Sequence, residues 1–411
     1  MVDPVSPALA TEHELGSAYR QVVTLAGGEL GAARKDHLVS LFSGKTTLVH
    51  LDLEGRLHRA WLGDRSYQRG LDGRIRRVTV GRSHGERTLG VDLLAPAEGE
   101  SVLAEVRALV DRVAAAVPPR GADPALAEVL SRAQGYRAAL EAERFRAAYD
   151  PIPILPPDRG RALLVQLTSG CSWNRCTFCH LYRDARFAMK SPEALTEHIR
   201  RVLALVGRAL PLRRGVFLGQ ANALVMTRDR LLPLLDVVHR ELAGAGAELT
   251  SLAAFVDAFS SPKRTEEWAE LRARGVESVS LGLESGSDQV LSTLGKPAES
   301  SAALALVEQL HEAGVGVGVI VLSGAGGERW QAQHVATTVD TIASMKLGKG
   351  DRVYLSPLHV EPGSRFAAAL GELGALSREA IEAQSAELRT RLRQAGVTVP
   401  IARYDIRRFV Y

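Results

Sequence analysis

Cys171, Cys176 and Cys179 are the three cysteines of this 411-residue chain, and all fall within one stretch, Thr168-Ser-Gly-Cys-Ser-Trp-Asn-Arg-Cys-Thr-Phe-Cys179. An odd, tightly clustered set is not a disulfide framework. Three soft thiolates spaced C-x4-C-x2-C on one short segment suit an iron–sulfur cluster. A four-iron cluster normally takes four cysteines, so three leave one iron open, and an unfilled coordination position marks a working site. Two other readings stand beside this one: a zinc knuckle with His180 as fourth ligand, and three buried core cysteines. Zinc sites usually draw on two separated ligand pairs, and core cysteines do not cluster in a stretch carrying Asn174 and Arg175. The cluster is therefore the favoured reading.

The cysteines directly follow an apolar run, Ala162–Thr168, the first of six. The others are Gly215–Gly219, Leu249–Phe255, Val276–Leu283, Val315–Leu322 and Val353–Leu358. Helical patterns lie between them. Ser191-Pro192-Glu193 supplies an N-cap, a proline at the first helical position and early negative charge, and Leu195, Ile199, Val202 and Val206 then line one face. Gly275 and Gly314 stand where helices end. Six βα units predict an α/β fold, a partial (β/α)6 barrel with a parallel sheet, short of the eight units of a closed barrel. The cysteine loop then sits at the C-terminal mouth of the strands, where such folds place their chemistry.

At these residues the chain resembles the radical S-adenosylmethionine (SAM) superfamily. The superfamily's usual spacing is C-x3-C-x2-C, so this loop carries one extra residue. Leu281-Gly-Leu-Glu-Ser-Gly-Ser-Asp288, followed by Leu294-Gly295-Lys296, resembles the fourth strand of the branch with coproporphyrinogen-dehydrogenase-like, elongator-like and methylthiotransferase-like enzymes. Val317 to Gly327 resembles its fifth strand and glycine-rich exit. The resemblance covers residues 158–365. It implies a [4Fe–4S] cluster on the three cysteines and SAM on the open iron. Reductive cleavage would yield a 5′-deoxyadenosyl radical that takes hydrogen from a small molecule or biosynthetic intermediate, with a reductant such as flavodoxin or ferredoxin. Phe178 matches the aromatic that packs near adenine. Gly219, Gln220 and Asn222 match the methionine-binding turn, where Gln220 replaces the usual acid. Glu284 and Ser285 match the strand-four groups that approach SAM, and Gly324 to Gly327 match the glycines that let backbone approach adenosine. Polar residues expected at strand ends facing a substrate are His180, Tyr182, Arg183, Asn222, Asp257, His359 and Glu361, with Tyr182, Asp257 and His359 as candidate catalytic proton or hydrogen relays.

Upstream, Pro151, Pro153, Pro156 and Pro157 read as a stiff linker, residues 151–157. Residues 1–150 read as an α+β accessory domain. Thr46–Leu62 forms two strands about a turn at Glu54-Gly55, Ser101–Val117 a helix buried through Val102, Val106, Leu109, Val110 and Val113, and Ala125–Tyr149 further helix. Residues 158–365 form the core and 366–411 a C-terminal helical extension. Ser43-Gly44-Lys45-Thr46-Thr47 lacks the first glycine of a phosphate loop, since Val39 occupies that position.

Nine arginines lie between Arg56 and Arg87, beside Trp61 and Tyr67. They offer a nucleic-acid face and, with it, an RNA-modifying alternative, though an arginine-rich solvated hairpin is the commoner meaning. A third alternative is a non-catalytic haem chaperone or iron–sulfur carrier. With no further cysteines, auxiliary clusters are disfavoured, and no Asp-x-His-x-x-Gly cobalamin motif is present. Hydrophobic residues at 46% and charged residues at 24% exclude a disordered chain, while a net charge of +4 says little about partners. No transmembrane run and no leader-like N-terminus are seen, so a cytoplasmic location without membrane contact is expected.

Overall fold

The computed structural model describes residues 21–25, 29–83, 86–117, 123–245, 249–260, 262–297, 299–360 and 365–411. Its contacts divide into two units. One holds the chain up to Tyr149 together with Arg201–Arg213 and Arg407–Tyr411; the other holds Asp150–Arg200 and Arg214–Ile406.

The first unit is an eight-stranded antiparallel meander in sequential order: β1 (Gln21–Leu25), β2 (Leu30–Arg34), β3 (Leu38–Ser43), β4 (Thr47–Asp52), β5 (Leu57–Leu62), β6 (Arg65–Arg69), β7 (Ile75–Ser83) and β8 (Glu86–Leu93). The expected hairpin is β4–β5, pairing Thr47 with Leu62. The candidate phosphate loop is the β3–β4 turn, with Ser43 paired to Thr47 and no helix behind it. Helices α1 (Pro96–Ala116), α2 (Pro124–Gly135) and α3 (Ala138–Ala148) follow. Helix α1 buries Val102, Val106, Leu109, Val110 and Val113 against Leu41, Val49, Leu51 and Ala60 of the sheet. These positions recur at helical spacing, and their burial, not propensity, holds the helix.

Most arginines of the supposed nucleic-acid face are spent within this unit. Arg56 is buried between Asp52 and Glu141. Arg69 stacks on Tyr136, Arg74 pairs with Asp72, Arg76 reaches Gln68 and the Arg408 carbonyl, and Arg77 pairs with Asp92. Arg56 and Arg69 are buried and so are out of reach of a phosphate backbone.

The second unit is a seven-stranded sheet in which each adjacent pair is parallel: β9 (Leu163–Gln166), β12 (Val216–Gly219), β13 (Leu252–Val256), β14 (Val276–Glu284), β15 (Gly316–Ser323), β16 (Arg352–Pro357) and β17 (Ile401–Arg403). A two-stranded ribbon, β10 (Thr168–Ser169) with β11 (Ala188–Met189), brackets the cysteine loop. The helices between strands are α4 (Pro192–Val206), α5 (Arg228–Leu242), α6 (Thr265–Ala273), α7 (Asp288–Thr293), α8 (Ser300–Glu312), α9 (Gly327–Ser344), α10 (Arg365–Leu373) and α11 (Arg378–Gln394). Ser191 Oγ accepts from Ala194 N at 3.2 Å, the expected cap of α4, whose last turn belongs to the first unit.

The six expected strands are present as a partial barrel sheet, and β17 adds a seventh. It comes from the segment expected to be a helical extension, whose α-helices end with α11. Residues 201–213 and 407–411 likewise pack with the N-terminal unit, although a contiguous 1–150 domain does not contain them.

Candidate active site

Each strand of a parallel sheet alternates its side chains between two faces. From β14, Ser280, Gly282 and Glu284 face one cavity; from β15, Ile320 and Leu322; from the end of β16, Ser356, Leu358 and His359. The same cavity, about 210 Å³, is lined by Cys171, Cys176, Phe178, Cys179, His180 and Tyr182 from the cysteine loop, by Asn222 and Asp257 beyond β12 and β13, and by Tyr404 and Ile406 beyond β17. All these strand-end positions lie at the C-terminal edge.

The cysteine loop is held by the segment after α7. Trp173 Nε1 donates to Gly295 O at 3.1 Å, Thr177 N to Leu294 O at 2.9 Å and Thr177 Oγ1 to Thr293 O at 2.9 Å. Gly295 has φ +69°, and a Cβ there would stand 3.0 Å from Arg175 O. Gly295→Val is therefore expected to strain the backbone and push the loop off its clamp, costing about 2 kcal/mol or more and most of the bound iron. Thermal melting and iron analysis of the variant check this; unchanged iron would contradict the clamp.

Lys296 then turns back into the site. Its ammonium bonds Gly282 O and sits 3.2 Å from Glu284 Oε1, with both side chains buried. A register shift between Gly282 and Glu284 marks a bulge that re-aims the carboxylate. A Cβ at Gly282 would lie 2.5 Å from that oxygen and 3.2 Å from Lys296 Nζ, so a larger residue there would displace the pair. Burial pushes the thiol of Cys176 up to about 12, opposed by Lys296, and that of Cys179 up to about 11. Binding a cluster therefore means releasing protons.

The sequence-derived candidates divide. Cys171, Cys176, Phe178, Cys179, His180, Tyr182, Asn222, Asp257, Glu284 and His359 share the cavity. Phe178 also packs against Phe366, at 6.5 Å between centroids. Asp257 is saturated: it accepts from Asn222 Nδ2 at 2.9 Å, from Phe259 N and Ser260 N, and from Ser260 Oγ. That leaves Asn222 Oδ1 buried without a partner. His180 and His359 stand edge to face, 6.4 Å apart. Burial raises the Tyr182 hydroxyl well above the usual tyrosine range.

Gly219, Gln220, Ser285, Gly324 and Arg183 lie off the cavity wall. Gln220 accepts from Gly170 N at 2.6 Å and donates to Pro151 O at 3.0 Å, so its amide anchors the entry to the cysteine loop. Ser285 Oγ bonds His334 Nδ1 at 2.8 Å inside the core. Gly324 N donates to Gln384, and the glycine packs on Ile381. Arg183 braces the carbonyls of Cys179 and Thr177. Glu361 lies outside the described residues. Lys296 and Tyr404 also line the cavity, and neither carries a sequence signal for it: Lys296 follows the Leu294-Gly295 turn as one more surface-type cation, and Tyr404 reaches the site through β17, too short for a pattern.

Among the described residues, no three His, Cys, Asp or Glu side chains gather closely enough to hold one metal ion, His180 included. The three thiols line one cavity, and thiolate sulfur is the donor set that holds an iron–sulfur cluster.

Residues 165–339 match the family model described as the radical SAM superfamily, and this part of the chain is a radical SAM domain. The superfamily works with a [4Fe–4S] cluster and SAM, and these are the cofactors of the domain. The chain is similar to the curated protein "Heme chaperone HemW" of Mycobacterium tuberculosis, 29% identical over 262 residues, which cover 61% of this chain and 64% of the relative. It is also similar to "4'-phospho-dehydrooxetanocin synthase" of Priestia megaterium, 24% identical over 147 residues, covering 33% and 20%. The match thus spans about two thirds, or less, of the length of these relatives. Among solved structures, coproporphyrinogen III oxidase (HemN) from Escherichia coli aligns with a TM-score of 0.41 at 16% identity, over 62% of this chain and 56% of that one. No helix among the described residues is long and apolar enough to cross a membrane.

Proposed function

We propose that the chain is a radical SAM enzyme with a single [4Fe–4S] cluster on Cys171, Cys176 and Cys179, acting on a small molecule or biosynthetic intermediate. The observation that carries this is the sharing of one strand-end cavity by three thiols, a clamped loop and a largely apolar wall. When bound, the cluster and SAM together supply a hydrogen-abstracting radical. The protein's own part is binding, orientation and water exclusion. Asn222 Oδ1, buried and unpartnered, accepts from the amino group of SAM, the task that the acid usual at position 220 would otherwise have. Phe178 offers the apolar shelf for adenine. Lys296 holds Glu284 at the end of β14 and sets its charge near Cys176. Ile320, Leu322, Leu358 and Ile406 keep the cavity dry. Tyr182, Asp257 and His359 stand within it; of these, Tyr182 and His359 keep polar atoms for a substrate, whereas Asp257 is committed to its loop.

The test is anaerobic reconstitution. The chain is expected to hold about four irons and no stoichiometric zinc; one zinc and no iron would overturn the reading. The HemW relatives favour a second reading, a non-catalytic haem chaperone. It is separated by titration with haemin: a stoichiometric haem complex combined with no SAM cleavage would favour it. The RNA-modifying alternative is weakened by the internal pairing of the arginines described above.

A further inference from the structure

A second cavity of about 190 Å³ backs onto the first. Asn222, Val256 and Asp257 line both. Its other walls are Leu224 and Val225 after β12, Pro262 and Lys263 before α6, Trp268 on α6, and Ala302, Ala305, Leu306 and Gln309 on α8. Most of this lining is aliphatic. Besides Gln309 and the shared Asn222 and Asp257, two residues are not, and both are more than nine-tenths buried: Lys263 is 7% exposed and Trp268 is 3%.

Lys263 Nζ donates to Met226 O at 3.0 Å. An ammonium has three donors, and burying one beside a single carbonyl is costly unless a counter-charge arrives. Burial also lowers its pKa, with Glu267 acting the other way. Trp268 Nε1 is a buried donor with no partner. An indole N–H can only donate, and such groups normally find an acceptor when buried. Glu267 offsets part of the lysine's charge from a distance while accepting from Arg264 N, and Asp257 accepts from Asn222, Phe259 and Ser260.

A buried cation and an orphaned donor in an aliphatic chamber complement a ligand with an anionic oxygen head and a short apolar body. The geometry points to a second ligand site in this chamber that binds a short aliphatic carboxylate, its head on Lys263 and Trp268 and its chain against Leu224, Val225 and Leu306. One lysine and one N–H match a monoanionic carboxylate better than a phosphate dianion. Because Asn222 and Asp257 form the shared wall, an occupant of this chamber touches residues that also line the main cavity. The site does not depend on the cluster or on SAM.

The experiment uses the full chain labelled with 5-fluorotryptophan, the Trp268 resonance being assigned by Trp268→Phe. Butyrate is titrated against n-butanol, which has the same body without the charge. The expected result is a saturable shift of the Trp268 signal, at least tenfold tighter for butyrate than for butanol, and butyrate binding weakened at least tenfold in Lys263→Met. Ala302→Phe, which fills the chamber without touching the lysine, is expected to abolish the shift and serves if Lys263→Met does not fold. Equal affinities for butyrate and butanol, an unchanged response in Lys263→Met or Ala302→Phe, or no shift at all would overturn the site.

Discussion

Cys176→Ala is expected to empty the site of iron, from about four irons per chain to less than about one, with the fold otherwise intact. Cys176 lines the cavity beside Lys296, and its loop is clamped to the α7 exit by Trp173 and Thr177, whose bonds do not involve the thiol. Removing it takes away a ligand without releasing the loop. With two thiols left and no other cysteine in the chain, nothing nearby can substitute. Iron analysis and visible absorbance read the outcome, and far-ultraviolet dichroism confirms that the variant folds. A folded variant that keeps its iron would remove Cys176 from the ligand set.

Arg56→Met is expected to destabilise the N-terminal unit by about 3–5 kcal/mol. The guanidinium is almost wholly buried and meets four acceptors: Asp52 at 2.8 Å, Glu141 at 2.5 Å, and the carbonyls of Leu205 and Val206 at 2.8 Å each. Burial alone would lower its pKa, but Asp52 and Glu141 more than offset this and raise it. It also caps the carbonyl end of α4, where a cation is favoured. Methionine fills much of the volume but leaves two buried carboxylates without their charge partner. Arg56→Lys recovers only part of the loss, since an ammonium cannot span the fork of acceptors. Denaturant unfolding of the unit that holds Trp61 measures the effect. A loss under about 1 kcal/mol, the range of an exposed ion pair, would mean that the charge cluster is not a structural pin.

Much of the second unit was legible because its strands are buried on both faces and read as continuous apolar runs. Leu163–Gln166 and Val216–Gly219 are of this kind, and each falls where its run predicts. The cysteine loop was legible because its chemistry is local. What was not legible depends on distant partners. Gln220 looks like a substitute for an acid, yet its amide is committed to Gly170 and Pro151, 50 and 69 residues away. Ser285 looks like a strand-end ligand but turns to His334, 49 residues on. Strand β17 is three residues long, too short for a period to show, and it carries Tyr404 into the site. In the first unit β6 reads as polar sequence, Arg-Ser-Tyr-Gln-Arg, and only pairing within the meander makes it a strand. The two unassigned residues of greatest chemical interest, Lys263 and Trp268, sit in ordinary polar and helical sequence; burial alone sets them apart.

Incubation of the anaerobically reconstituted, reduced chain with SAM, read by chromatography of the nucleoside products, tests the central claim most directly. The account predicts 5′-deoxyadenosine together with methionine, formed by the native chain and not by Cys176→Ala. S-adenosylhomocysteine as the sole product, or 5′-deoxyadenosine formed equally by Cys176→Ala, would contradict it.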